Sequence, residues 1–148
     1  MHKKTKGSLT IVGAGPGDAE LITLKGVNAI KQAEVILYDA WVNTEILAHN
    51  TQGEHFFVGK RKGAHSYKQN EINKMLVNFV KDGKHVVRLK GGDVSVFARA
   101  AEEIEYANRH GISAILIPGI ASFTGIAAAH RIPLTKRCMY ESIWVTTG

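Results

Sequence analysis

One cysteine, Cys138, in 148 residues rules out an internal disulfide. Nothing then points to an oxidising compartment, and the cytoplasm is the expected location. No segment approaches the ~18 consecutive apolar residues of a membrane span, so no membrane association is expected. The basic start, Met1-His2-Lys3-Lys4-Thr5-Lys6, is followed only by the short apolar run Leu9–Val12. A signal peptide is therefore not expected either. The seven histidines show no metal-ligand spacing such as H-E-x-x-H, and no metal site is expected. Internal repeats and low-complexity tracts are absent as well.

A formal charge of +6 raises the question of nucleic acid. The basic residues, however, spread over helices and strand ends, with one dense cluster at Lys60-Arg61-Lys62. No aromatic side chains interleave with that cluster as they would in a platform that stacks single-stranded bases. No nucleic-acid partner is expected. A small ligand rich in carboxylate or phosphate accounts for the charge, as does a solvated basic face. With 45% hydrophobic residues the chain can bury a core of ordinary size. Its length fits one domain, or one domain and part of another.

Short apolar runs alternate with amphipathic segments. Leu9-Thr10-Ile11-Val12 reads as a buried strand ending in the glycine turn Gly13-Ala14-Gly15-Pro16-Gly17-Asp18. Thr23 is placed to cap a helix with Leu24, Val27, Ile30 and Ala33 inward. Val35–Tyr38 predicts a second strand closing on Asp39, and Phe56-Phe57-Val58 a third closing on Gly59-Lys60. Ser66-Tyr67-Lys68-Gln69 has the form of a capping box, ahead of a helix carrying Ile72, Met75, Leu76, Phe79 and Val80 and ending at Gly83. His85–Leu89 is a fourth strand, delivering the chain to Lys90-Gly91-Gly92-Asp93. A helix with Glu102, Glu103 and Glu105 runs to Gly111, and Ala114–Ile117 is a fifth strand. After Pro118 come a small-residue helix, 122–129, and a strand predicted over 142–146. The pattern predicts an α/β fold with a mainly parallel sheet and flanking helices, wound right-handed. Ligands of such sheets sit outside the carboxyl ends of the strands, where both glycine loops lie.

The first loop shares its opening with the dinucleotide fingerprint G-x-G-x-x-G. The third glycine would fall at position 18, which is Asp18, and Pro16 removes an N–H from the turn. A carboxylate there opposes a pyrophosphate at a helix N-terminus. A dinucleotide reading also leaves Gly91-Gly92-Asp93 without a purpose.

Taken together, Gly13-Ala14-Gly15-Pro16-Gly17-Asp18, Leu37-Tyr38-Asp39, Val58-Gly59-Lys60-Arg61, Val87-Arg88-Leu89-Lys90-Gly91-Gly92-Asp93, Pro118-Gly119-Ile120 and Ile132-Pro133-Leu134-Thr135 resemble the tetrapyrrole methylases in order and near spacing. Val58-Gly59-Lys60-Arg61 and Gln69-x-Glu71-Ile72-Asn73 are most similar to the members that act on uroporphyrinogen III. The resemblance covers essentially Leu9 to Gly148. It implies a two-domain enzyme, with residues 1–118 as the N-terminal α/β domain and 119–148 as the opening of an incomplete C-terminal one. It further implies a cytoplasmic homodimer that binds S-adenosyl-L-methionine between the domains. The implied reaction is C-methylation of uroporphyrinogen III to precorrin-2, on the route to sirohaem or cobalamin, with S-adenosyl-L-homocysteine as the other product.

By the same resemblance Pro16, Gly91, Gly92, Asp93, Val96, Ala121 and Ser122 are expected to contact the cofactor. Asp39 corresponds to the family's proton acceptor and Lys60 to its proton donor. Lys60, Arg61 and Lys62 suit a substrate bearing many carboxylates. The chain departs from the family pattern at Val94-Ser95, where Pro-Phe is usual, and at Ala98-Arg99-Ala100-Ala101, where Gly-Arg-Gly-Gly is usual. The added Cβ atoms remove φ freedom beside the ligand. Other readings make different predictions. A different precorrin methylase would share the site. An NAD-linked oxidoreductase would be indifferent to Gly91→Ala, and a non-catalytic binding paralogue would be indifferent to Asp39→Ala.

Overall fold

The computed structural model describes residues 6–60 and 67–147. Its strands are β1 (Ser8–Gly13), β2 (Val35–Tyr38), β3 (Glu54–Phe57), β4 (His85–Lys90) and β5 (Ala114–Ile117). The helices are α1 (Leu24–Gln32), α2 (Gln69–Lys81), α3 (Ala100–Arg109) and α4 (Ser122–Ala129). All five strands are parallel, in the order β3-β2-β4-β1-β5.

The central strands are apolar because both faces are covered. Leu9, Ile11, Val35, Leu37 and Val86 pack with Ile72, Leu76 and Val80 of α2 and with Ala100 and Ala107 of α3. On the opposite face Val12, Ile36, Val87, Leu89 and Ile117 pack with Ile30 of α1 and with Val42 and Ile46. The α/β prediction therefore holds. Among the described residues no helix is long and apolar enough to cross a membrane.

Local signals set the helix ends. Thr23 Oγ1 accepts the Gly26 N–H at 3.1 Å, capping α1 as its sequence predicts. The inward face of α1 needs correction, because Leu24 is 84% exposed while Gly26, Ile30 and Ala33 are buried. At 3.6 residues per turn Leu24 lies about 120° around the helix from Ile30, off the buried stripe. Of the capping box expected at Ser66–Gln69, Ser66 lies outside the described residues. The α2 N-cap is Lys68, whose N–H donates to Glu71 Oε2 at 2.6 Å. Gly83 and Gly111 follow the C-caps of α2 and α3 with φ of 88° and 73°, the left-handed geometry that ends a helix on glycine.

The strand predicted over 142–146 is not formed. Residues 141–147 have no regular structure, are exposed, and pair with no strand among the described residues. Alternating β-formers do not make a strand without a ladder partner for their N–H and C=O groups.

The strand order places the site. β2 sends the chain outward to β3, while β4 sends it the other way, across β1, to β5. The connections diverge between β2 and β4, where a parallel sheet opens a crevice at its carboxyl end.

Candidate active site

Three loops meet above the carboxyl ends of β1, β4 and β5. Gly15 and Gly92 exchange backbone hydrogen bonds, Gly15 N–H to Gly92 O at 3.1 Å and Gly92 N–H to Gly15 O at 2.7 Å. Gly92 has φ of 67°, a conformation open to glycine at little cost. The third loop comes as close: a Cβ on Gly119 would lie 2.4 Å from Gly92 O and 2.8 Å from the Gly13 backbone.

Asp93 ties these loops together. Its Oδ2 accepts the Gly119 N–H at 2.8 Å. Its Oδ1 accepts the Ser95 N–H at 2.8 Å and a short hydrogen bond from the Ser95 hydroxyl. Burial pushes the carboxyl up, but the Ser95 hydroxyl, the Ser95 N–H and the Gly119 N–H together hold it below its ordinary value. The departure at Val94-Ser95 thus has a structural use, since the Ser95 hydroxyl adds a donor to Asp93 that the usual Phe lacks.

Above this junction lies a cavity of about 860 Å³. Pro16, Asp39, Lys60, Gly91, Gly92, Asp93, Val96, Ala121 and Ser122, all nine residues singled out from the sequence, line it. Trp41 and Phe97 are 82% and 60% exposed at its walls. Trp41 packs so closely on Gly91 that a Cβ there would come within 2.5 Å of the Trp41 Cβ. Ser122 is the first residue of α4, whose N-cap is Ala121. Lys60 is exposed and has no ion-pair partner among the described residues. Arg61 and Lys62, the rest of the basic cluster, lie outside the described residues.

At the cavity floor is a charged group that the motifs did not disclose. Arg88 and Lys90 are 3% and 4% exposed, and Glu103 is 1% exposed. Glu103 Oε1 accepts from Arg88 Nε at 3.0 Å, Lys90 Nζ at 3.0 Å and Gln69 Nε2 at 3.3 Å. Arg88 Nη1 donates to the Leu37 and Leu89 carbonyls, and Nη2 stands 3.6 Å from Asp39 Oδ2. Asp39 Oδ1 accepts the Trp41 N–H at 3.1 Å. Asp39 is thus both a turn-forming acid and a carboxylate facing the cavity, held between a backbone donor and a guanidinium. One signal was present in the sequence. Arg88 and Lys90 alternate on one face of a central strand, and charges buried there require an acid opposite. Glu103 reads as a helix-terminus acid until α3 is placed against β4.

The arrangement suits a ligand with apolar and polar parts. The glycine backbones permit close approach, the aromatic walls supply flat contact, and Asp39 presents a carboxylate to the space. It does not suit a pyrophosphate on the first loop. Asp18 Oδ1 accepts the Glu20 N–H at 2.9 Å and caps a short 3₁₀ turn, and α1 begins only at Leu24.

Fold and cleft together define a parallel α/β ligand-binding domain built on glycine-rich loops. Residues 8–146 match the family of tetrapyrrole (corrin/porphyrin) methylases, and the chain belongs to that family. It is 50% identical over 143 residues to a uroporphyrinogen-III C-methyltransferase of Methanocaldococcus jannaschii, covering 96% of this chain and 59% of that protein. A crystal structure of uroporphyrin-III-C-methyltransferase from Thermus thermophilus superposes with a TM-score of 0.79 at 37% identity. It covers 90% of this chain and 57% of that one. A crystal structure of the Thermus thermophilus enzyme complexed with S-adenyl homocysteine gives a TM-score of 0.72 at 39% identity, over 89% of this chain and 51% of that one. The chain thus spans little more than half the length of these relatives.

Proposed function

We propose that this chain carries the cofactor loops and proton-acceptor side of an S-adenosylmethionine-dependent C-methyltransferase that converts uroporphyrinogen III to precorrin-2. In this reading residues 119–148 open a second α/β domain, and the working enzyme is a homodimer. The supporting observation is the convergence of Pro16, Gly91, Gly92, Asp93, Val96, Ala121 and Ser122 with Asp39 and Lys60 on one cavity. The likeness to relatives of that name, one of them with S-adenyl homocysteine bound, supports the same assignment.

The fit to the cofactor rests on shape. At about 860 Å³ the cavity lies within the ordinary range of small-molecule sites. Its glycine floor at Gly91 and Gly92 leaves room that side chains would fill. Bound there, S-adenosylmethionine would supply an electrophilic methyl group. The chain's own contribution is positioning and exclusion of water, with the Gly15–Gly92 pair and the Asp93 brace fixing the loops. Asp39 faces the space where a methylated, cationic ring would shed a proton, and is placed to take it. Lys60, exposed at the rim, is suited to a substrate carboxylate or to proton donation at the opposite side of the ring. A sirohaem or a cobalamin pathway would both use the product.

The test is calorimetric titration with S-adenosylhomocysteine and, separately, NAD, followed by an anaerobic assay with uroporphyrinogen III. Binding of the first with methyl transfer supports the reading. Binding of NAD alone overturns it.

A further inference from the structure

Lys90 is the last residue of a central strand, and it lines the cavity although the residue is only 4% exposed. A buried ammonium has three N–H donors and needs acceptors for them. One donates to Glu103 Oε1 at 3.0 Å, and the other two have no acceptor among the described residues. Glu103 cannot give more through that oxygen, which already receives Arg88 and Gln69. Its second oxygen is buried with no donor among the described residues. Arg88 is held more fully, with Glu103 on its Nε, the Leu37 and Leu89 carbonyls on its Nη1, and Asp39 Oδ2 3.6 Å from its Nη2 as an ion pair. Lys90 therefore keeps hydrogen-bonding capacity for something in the cleft.

We infer that Lys90 anchors a carboxylate group of the ligand at the cleft floor. Under the function proposed above, two sources carry that chemistry: the amino-acid end of the cofactor and the acid side chains of the macrocycle. Exposed Lys60 would meet acids at the rim, whereas Lys90 recognises one driven into the site, where water is excluded and a charge-assisted hydrogen bond counts for more.

The electrostatics agree with a missing counter-charge. Burial pushes the Lys90 ammonium below its ordinary value, and Arg88 on the same strand adds repulsion. Glu103 from α3 and Asp39 beyond β2 attract it, but not enough to offset both. Gln69 from α2 faces the same group without charge. A carboxylate arriving beside Lys90 raises the titration midpoint again, so binding takes up a proton and weakens as pH rises through the free value.

The test follows the Lys90 side-chain ¹³Cε resonance in lysine-labelled protein, assigned by its loss in Lys90→Met. Titrations use succinate as a plain dicarboxylate, S-adenosylhomocysteine, its methyl ester, and uroporphyrin III. The expected result is an upward shift of the Lys90 midpoint with a carboxylate ligand and none with the ester. Lys90→Met should then weaken binding of that ligand about 10–100-fold. Loss confined to S-adenosylhomocysteine assigns the carboxylate to the cofactor, and loss confined to uroporphyrin III assigns it to the macrocycle. Failure of wild-type protein to bind S-adenosylhomocysteine would sink the methyltransferase reading, while the succinate arm would still decide on Lys90. An unmoved Lys90 midpoint with all four compounds, and equal affinities in Lys90→Met, overturn the proposal.

Discussion

Asp93 Oδ2 and the Gly119 N–H are joined at 2.8 Å, so the loops leaving β4 and β5 are held by a single carboxylate. The other oxygen of Asp93 is taken by Ser95, and the group is 8% exposed. Asp93→Ala removes a charged acceptor from three donors and should cost about 2–4 kcal/mol. Urea unfolding of the variant measures this. The pH dependence has a fixed sign: the folded value lies below the unfolded 3.8. The contribution is therefore complete above that value and is lost as pH falls through the lower one. Acid unfolding of wild type should be steeper than that of Asp93→Ala in that window.

Gly92→Ala tests the loop in a different way. The new Cβ would lie 3.5 Å from Ser122 Oγ, an ordinary contact, so the cost is conformational. With φ of 67° it should amount to about 1–2 kcal/mol of stability. The methyl group also enters the cavity, and S-adenosylhomocysteine affinity should fall about tenfold or more by calorimetry. An unchanged affinity would place the cofactor away from this loop.

Asp39→Asn keeps the shape of the side chain and removes its basicity. Methyl transfer should fall by about 10²–10⁴, with S-adenosylhomocysteine affinity retained. Lys60→Met should weaken the apparent affinity for the macrocycle more than it lowers kcat. Equal losses in binding of both compounds would instead mean that Asp39 is structural, through Arg88 and the Trp41 N–H.

The buried charges separate by variant. Glu103→Ala leaves Arg88 and Lys90 together without their shared acid and should cost about 3–5 kcal/mol. Lys90→Met leaves Glu103 still paired with Arg88 and Gln69, and should be much milder at neutral pH. Lys90 binds its proton less readily folded than unfolded, where its ordinary value is 10.5. Stability should therefore rise with pH between the lowered value and 10.5 in wild type relative to Lys90→Met. Paired denaturation curves across alkaline pH measure that difference.

The sequence exposes the parts of this molecule governed by local rules. Apolar runs such as Val35–Tyr38 become sheet, Thr23 caps α1, and glycines follow α2 and α3. The candidate site residues were named through the family resemblance, and they meet on one cavity because they follow strand ends, which a parallel sheet brings to one edge. Leu24 was misjudged because an apolar side chain at a helix start need not lie on the stripe that packs. Residues 142–146 were misjudged because strand formation depends on a partner that no local pattern reveals. The Glu103 network was hidden for a related reason. Its members come from α2, β4 and α3, and only tertiary packing shows that one acid serves two buried cations.

The meeting of Gly13, Gly92 and Gly119 bears on folding order as well as on shape. Their contacts join chain segments far apart in sequence, and such contacts form only after the intervening loops have closed. The floor of the cleft is therefore a late product of folding, complete only when β4 and β5 have both docked on β1. During synthesis, β2 and β3 can pair with each other while β1 still lacks its neighbour β4, so the first three strands emerge with no binding surface at all. Ligand affinity then becomes a direct report on the last folding step, and a cofactor analogue should slow unfolding by holding closed the junction that forms last.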